Sequence, residues 1–229
     1  MSPPPRARPQ CDPRGGRVPE GECDPNGVSG HYFEAQPAAA HRPGLVRVVL
    51  RDVYLELETD SGVFSPGRLD PGTRLLLEEA PPPPLDGDLL DLGCGYGPIS
   101  CVLASRAPQA TVWAVDVNER ALGLTARNAG RAGLGNVRTA SPDDPEIPQQ
   151  QLALIWSNPP IRVGKTILHG MLTTWLARLR PGGHAILVVG RNLGSDSLQS
   201  WLEGQGWPAT RIAARSGYRL LQVTRQACP

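Results

Sequence analysis

Residues 89–100 read Leu-Leu-Asp-Leu-Gly-Cys-Gly-Tyr-Gly-Pro-Ile-Ser. A short apolar run that meets a glycine cluster predicts a buried strand entering a tight turn. Pro98 behind the turn suits the first position of a helix, where its missing N–H is not needed. A strand feeding a helix this way is the start of a β-α unit, and repeated units give a parallel sheet with right-handed crossovers. The repeat continues downstream. Thr111–Asp116 reads as a strand, Asn118–Ala132 as a helix capped by Asn118, and Asn136–Ala140 and Leu152–Ser157 as strands. A helix over Lys165–Leu179 puts Leu168, Met171, Leu172, Trp175, Leu176 and Leu179 on one face, and Pro181-Gly182-Gly183 breaks it. Ala185–Gly190 is a strand, Ser195–Gln205 a helix, and Thr210–Ala214 and Tyr218–Thr224 a closing pair joined at Ser216-Gly217. Ligands of such sheets sit beyond the carboxyl ends of the strands.

Ahead of the β-α units the pattern differs. Residues 1–30 are rich in Pro, Gly and charge and read as a disordered tail. Residues 31–84 form a small unit with a Pro-rich connector at Pro81–Pro84, and residues 85–229 form the α/β domain. In the small unit Leu45–Leu50 and Val53–Glu58 read as a pair of strands. A helix follows over Asp70–Glu79, with Asp70 as cap and Pro71 at its first position.

Composition removes several classes. No run of about 18 apolar residues occurs, so no membrane span is expected. The N-terminus carries no apolar segment of the secretory kind. Five cysteines form no disulfide framework, and Cys11 and Cys23 have no neighbouring ligand pair for zinc, so a cytoplasmic protein without a metal is expected. The net charge of +1 argues against a purely electrostatic nucleic-acid binder. That charge is uneven: residues 31–80 carry five Arg and eight acidic residues, whereas residues 81–229 carry 14 basic and 10 acidic ones. Any RNA contact is therefore expected on the α/β domain.

The ligand of the glycine turn follows from its acids. Gly93, Gly95 and Gly97 let the backbone turn tightly and let a ligand approach. A dinucleotide site would hold a pyrophosphate at the helix start, but Asp91 stands two residues before the first glycine and would repel it. A carboxylate there suits an ammonium group, such as that of the methionine part of S-adenosylmethionine. Asp116, at the end of the next strand, is placed to accept from two ribose hydroxyls. Val117 beside it is placed to pack on adenine, and Asp143 after the third strand to meet the adenine amino group.

A second motif, Ser157-Asn158-Pro159-Pro160-Ile161, follows the fourth strand. Its two prolines fix a rigid loop. The Asn158 amide oxygen and the Pro159 carbonyl can together accept both hydrogens of a planar amino group. The nitrogen lone pair then points at a sulfonium methyl, and catalysis needs only positioning and electrostatics. Arg162 and Lys165 follow and suit a phosphate or a flipped nucleotide. His169 lies one turn beyond Lys165 as a possible acid or base. His31, Tyr32, Phe64 and Ser65 are further candidates to cover the pocket, and Cys94 and Cys101 read as small buried residues.

These motifs resemble those of class I S-adenosylmethionine-dependent methyltransferases, and within that class the RsmC-type guanine-N2 methyltransferases of small-subunit ribosomal RNA. The resemblance covers about residues 31–225. It rests on His31-Tyr32-Phe33, Asp60–Ser65, Gly67–Asp70, Asp91–Pro98, Val115–Ala121 and, most specifically, Ser157–Lys165. It implies a Rossmann-like, mostly parallel seven-stranded sheet with helices on both faces and a small N-terminal hairpin and helix. It also implies cofactor contacts at Asp91, Gly93, Asp116 and Asp143, base contacts at Asn158 and Pro159, and a monomer acting on ribosomal RNA or the small subunit. Many amino-directed relatives carry an aromatic after the two prolines; Ile161 stands there, which counts against adenine-N6 and glutamine-directed branches. Longer relatives also carry an N-terminal duplicate of the domain, where this chain has only its small unit. Adenine N6, a protein glutamine, a small-molecule amine, or RNA binding without catalysis are the alternative readings.

Overall fold

The computed structural model describes residues 39–226. Strands β1 (Gly44–Val49) and β2 (Tyr54–Thr59) pair as an antiparallel hairpin, followed by helix α1 (Pro71–Glu79). Then come β3 (Asp88–Leu92), α2 (Pro98–Arg106), β4 (Thr111–Val115), α3 (Glu119–Arg131), β5 (Val137–Ala140) and β6 (Leu152–Ser157). The chain continues through α4 (Lys165–Leu176), β7 (Leu179–Gly190), α5 (Ser195–Gly204), β8 (Ala209–Arg215) and β9 (Tyr218–Thr224). The expected tail, the His31 and Tyr32 positions, and Cys11, Cys23 and Cys228 lie outside the described residues.

Seven strands make one sheet in the order β5-β4-β3-β6-β7-β9-β8. Pairs β5–β4, β4–β3, β3–β6 and β6–β7 are parallel, while β9 runs antiparallel to both β7 and β8. This is the class I methyltransferase arrangement. Winding reverses between β3 and β6, and that reversal opens a crevice at their carboxyl ends.

Each face of the sheet carries its own apolar core. On one face Leu89, Val112, Trp156 and Val188 meet α1, α2, α3 and the inner side of the hairpin. On the other, Leu90, Val115, Ile155 and Leu187 meet α4 and α5. Because β6 is covered on both faces, its residues read as a continuous apolar run. The hairpin alternates instead, with Val46, Val48, Leu55 and Leu57 inward and Arg47 opposite Glu56 in solvent.

The hairpin is fastened by one buried amide. Asn128 of α3 accepts from the Glu58 N–H at 2.7 Å and donates at 2.8 Å to the carbonyls of Glu58 and Tyr96. It thereby joins β2 to the glycine turn.

One boundary differs from the expected one. Helix α4 ends at Leu176 rather than Leu179, and β7 begins at Leu179 rather than Ala185. Pro181-Gly182-Gly183 therefore interrupts a strand, not a helix. Pairing with β6 jumps from Leu152–Leu179 to Leu154–His184 across these residues. Gly182 donates to Arg225, and Arg225 donates back to Gly183. A Cβ on Gly183 would stand 2.8 Å from the Leu152 carbonyl oxygen, so β6 and β7 approach this closely only because a glycine is there.

Candidate active site

Three strand ends open side by side. Leu92, the last residue of β3, pairs with Val115 of β4 and Ser157 of β6, and the Ser157 hydroxyl donates to the Leu92 carbonyl at 2.7 Å. The glycine turn, Asp116 and Asn158 therefore leave the sheet as neighbours.

In the turn Gly93, Gly95 and Gly97 have φ of 81°, 58° and 91°, conformations that favour glycine. A Cβ on Gly93 or Gly95 would meet nothing within 4 Å, so both border open space. Gly97 differs, since a Cβ there would lie 2.9 Å from Thr125 Oγ1; its bareness lets α3 approach. Four of the turn's amide donors are already occupied. The N–H groups of Gly93 and Cys94 reach the Val115 carbonyl, Gly95 reaches Asp116 Oδ2, and Gly97 reaches the Cys94 carbonyl. A pyrophosphate would find these amides spent and the Asp116 carboxylate beside them.

Asp91 is fully buried on the α2 face of β3. Its Oδ2 accepts from the Ser100 N–H at 2.9 Å and the Ser100 hydroxyl at 2.5 Å, while Oδ1 has no partner among the described residues. Burial pushes its carboxyl up to about 7 against the pull of the Ser100 bonds, and the nearby Asp116 charge adds to the rise. Asp116 accepts from Gly95 N at 2.9 Å and Asn118 N at 3.0 Å, and burial raises its pKa despite those bonds. The Val117 N–H also acts on this carboxylate, which with these three donors keeps acceptor capacity to spare. Val117 beside it is 47% exposed. Asp143 lies exposed on the turn after β5, three residues beyond Ala140, whose carbonyl accepts from Asp116 N. Its charge also bears on Arg178.

Asn158 leaves β6 with both amide hydrogens engaged. Nδ2 donates to Asp70 Oδ1 at 2.9 Å and to Thr73 Oγ1 at 3.0 Å. The Asp70 oxygen also caps α1 by accepting from Thr73 N at 2.9 Å. The amide orientation is thereby set, and the side-chain oxygen of Asn158 stays available as an acceptor. The Pro159 carbonyl already accepts from the Ile161 N–H at 2.8 Å, which leaves it one lone pair. Pro160 precedes a single 3-10 turn over Ile161–Val163. Ile161 packs partly into the α4 and α5 core, whereas Arg162 and Lys165 are exposed. The His169 ring stacks on Trp201 with centroids 3.8 Å apart, so its surroundings are those of a packed aromatic pair.

The methyltransferase small domain family model matches residues 54–222. The chain belongs to this family. YbxB, an uncharacterized protein of Bacillus subtilis, is 32% identical over 200 residues that cover 86% of this methyltransferase and 100% of YbxB. The ribosomal RNA small subunit methyltransferase C of Hahella chejuensis is 35% identical over 176 residues, 75% of this chain and 50% of that one. The chain thus spans about half the length of such relatives. Among solved structures, the Thermus thermophilus 16S rRNA N2 G1207 methyltransferase RsmC, in complex with AdoMet and guanosine, superposes with a TM-score of 0.64 at 22% identity. That match covers 83% of this chain and 52% of that one. It shares the fold.

Several residues of this methyltransferase's site carried no readable sign of their place. Ser100, Thr73 and the second duty of Asp70 depend on contacts that no local spacing announces. The loop before α1 is similar. Asn118 Nδ2 donates to the Gly62 carbonyl at 2.8 Å and Arg120 to that of Ser61 at 2.8 Å, which ties residues 61–62 to the start of α3. Phe64 in this loop is 38% exposed, and the Ser65 hydroxyl donates to Arg68 O at 2.7 Å. The buried Tyr96 donates to the same carbonyl at 3.5 Å.

Proposed function

We propose that this methyltransferase transfers a methyl group from S-adenosylmethionine to an exocyclic amine, guanine N2 of small-subunit ribosomal RNA. The observation that carries the reading is the state of Asn158. Its amide hydrogens are taken by Asp70 and Thr73, so toward an incoming amine it offers only an oxygen. An amino group donates to that oxygen and is held with its lone pair free, which is orientation rather than acid-base chemistry.

The cofactor's fit is supported by the chain's own groups. The orphaned Asp91 Oδ1 is a buried acceptor that a cationic ammonium would satisfy. The remaining acceptor capacity of Asp116 suits a ribose hydroxyl, exposed Val117 suits the adenine face, and Gly93 and Gly95 leave the space to approach. We assign Asp143 to the adenine amino group. When bound, the cofactor supplies a sulfonium methyl: the N–C bond forms, the C–S bond breaks with its electron pair kept by sulfur, and the amine's surplus proton leaves to water. The chain's residues orient the amine, and no nucleophile of the protein takes part.

The guanine and ribosomal assignment is supported by the names of the half-length relatives and by the guanosine in the RsmC structure. With it goes a monomer acting in the cytoplasm. No helix among the described residues is long and apolar enough to cross a membrane.

Nucleoside mass spectrometry after incubation with labelled cofactor tests the reading, with small subunits, naked ribosomal RNA and DNA as substrates. N2-methylguanosine from subunits or ribosomal RNA is expected. Label in DNA, in protein or in 6-methyladenosine overturns it. Asn158→Ala is expected to bind cofactor normally and to lose about a hundredfold or more in turnover.

A further inference from the structure

Many arginines of the fold have carboxylate partners, as Arg106 has Asp52, Arg215 has Glu78 and Arg219 has Asp196. At the carboxyl end of the sheet this pattern fails. Arg68, Arg162 and Arg191 are exposed, and among the described residues none of them lies within ion-pairing reach of a carboxylate. Arg42, Arg51 and Arg180 also have no ion-pair partner among the described residues but lie on other parts of the surface, while Arg138 and Arg178 lie over Trp113 and Trp175 and Arg225 bonds to the Ala177 and Leu179 carbonyls. All three belong to segments that flank the carboxyl ends of β6 and β7 or the start of α1. Arg68 precedes Asp70 by two residues, Arg162 follows Asn158 by four, and Arg191 follows the carboxyl end of β7.

Tyr218 stands among them. As the first residue of β9 it pairs with Gly190, and its neighbour Gly217 accepts from the Arg191 N–H at 2.7 Å. Its ring lies against the first turn of α1, so that a Cβ on Gly72 would come within 2.7 Å of two ring carbons. Its hydroxyl lies in the field of Asp70, Arg68 and Arg162. The ring is half-buried, with one side supported by α1, two residues from the Asp70 that holds Asn158. Ile161 is aliphatic, so an aromatic surface for a base must come from another element.

We propose that Tyr218, with Arg68 and Arg162 near its hydroxyl and Arg191 following the adjacent strand end, seats the single-stranded nucleic acid that carries the acceptor base, the ring stacking on a base and the guanidinium groups taking its phosphates. The assignment rests on the reading of the enzyme as an RNA methyltransferase. Single strands are gripped by this combination of aromatic platform and cationic rim.

The test measures binding of a fluorescently labelled single-stranded RNA to the full chain across a range of potassium chloride concentrations. Replacing all three arginines (Arg68→Gln, Arg162→Gln, Arg191→Gln) is expected to weaken binding and lower the log–log salt slope by about 2, at about 0.7 per phosphate contact. Tyr218→Leu is expected to weaken binding by about five- to a hundredfold with the slope unchanged, and Tyr218→Phe to bind as the parent does. Should Tyr218→Leu fail to fold, the exposed arginine variant still decides the matter. A parental slope and affinity in the triple variant, or Tyr218→Leu binding as tightly as Tyr218→Phe, overturns the proposal. If the parent methylates RNA while these variants bind it normally, this inference alone falls. If the parent neither binds nor methylates RNA, both fall.

Discussion

The amide nitrogen of Asn158 donates to Oδ1 of Asp70 at 2.9 Å across 88 residues of sequence. The same oxygen caps α1 through Thr73 N, so the start of a helix and the orientation of the Asn158 amide share one carboxylate. A helix cap is thus coupled to the amide proposed to hold the acceptor amine.

Breaking the clamp at Thr73 tests that coupling. Thr73→Val removes a hydroxyl that accepts from Asn158 at 3.0 Å, while the backbone N–H that feeds the cap remains. We expect kcat to fall about tenfold or more, with cofactor affinity unchanged, because a loosened amide misplaces the amine. Thr73→Ser keeps the hydroxyl and is expected to restore kcat. Equal loss in both variants, in steady-state assays with calorimetry for the cofactor, would refute the clamp.

Cofactor binding should depend on pH through Asp91. Burial raises its carboxyl from 3.8 to about 7, so the folded protein binds this proton more tightly than the unfolded chain. Stability from this group is therefore fully present below about pH 4 and is lost as pH rises toward 7, by on the order of 3–4 kcal/mol. A cationic ammonium reverses the preference by favouring the carboxylate. Affinity should accordingly rise with pH up to about 7, with proton release on binding below that. Calorimetry in buffers of different ionisation heat measures the release. Its absence, or unchanged affinity in Asp91→Asn, removes Asp91 from the proposed contact.

Gly97→Ala combines two penalties, a φ of 91° and a Cβ placed 2.9 Å from Thr125 Oγ1. We expect a loss of about 2 kcal/mol or more in thermal or chemical unfolding. Adding Thr125→Ala should return the steric part only. Gly130→Ala serves as the control, since a Cβ there meets nothing within 4 Å and the residue lies within α3.

Asn128→Ala should detach the hairpin. The residue is 1% exposed and makes bonds to Glu58 N, Glu58 O and Tyr96 O. Leaving those backbone groups unpartnered is expected to destabilise the protein by about 2–4 kcal/mol. Amide hydrogen exchange should then rise first over Tyr54–Thr59. Uniform exchange across the sheet would show that the hairpin is not anchored there.

Periodicity and turn chemistry were legible along the chain. Leu89–Leu92 entering glycines, Asn118 and Asp70 as caps, and the two prolines after Asn158 each act within a few residues, where local sterics and hydrogen bonds decide. The small unit's strands and the β-α order follow for the same reason. The start of β7 was not legible, because Pro181-Gly182-Gly183 breaks a helix or bends a strand equally well and only pairing with β6 chooses.

By itself, then, the sequence determined the α/β class, the glycine turn with its acids, and the Asn-Pro-Pro loop, all signals carried by neighbours in the chain. Tertiary structure alone decided which groups meet. Folding buries Asp91 against Ser100 and leaves one of its oxygens without a partner. Folding also brings Asp70 and Thr73 to Asn158, and Tyr218 to the first turn of α1. The contacts of Asn158 and Tyr218 are set by sheet order and helix packing over scores of residues, distances at which residue spacing holds no information.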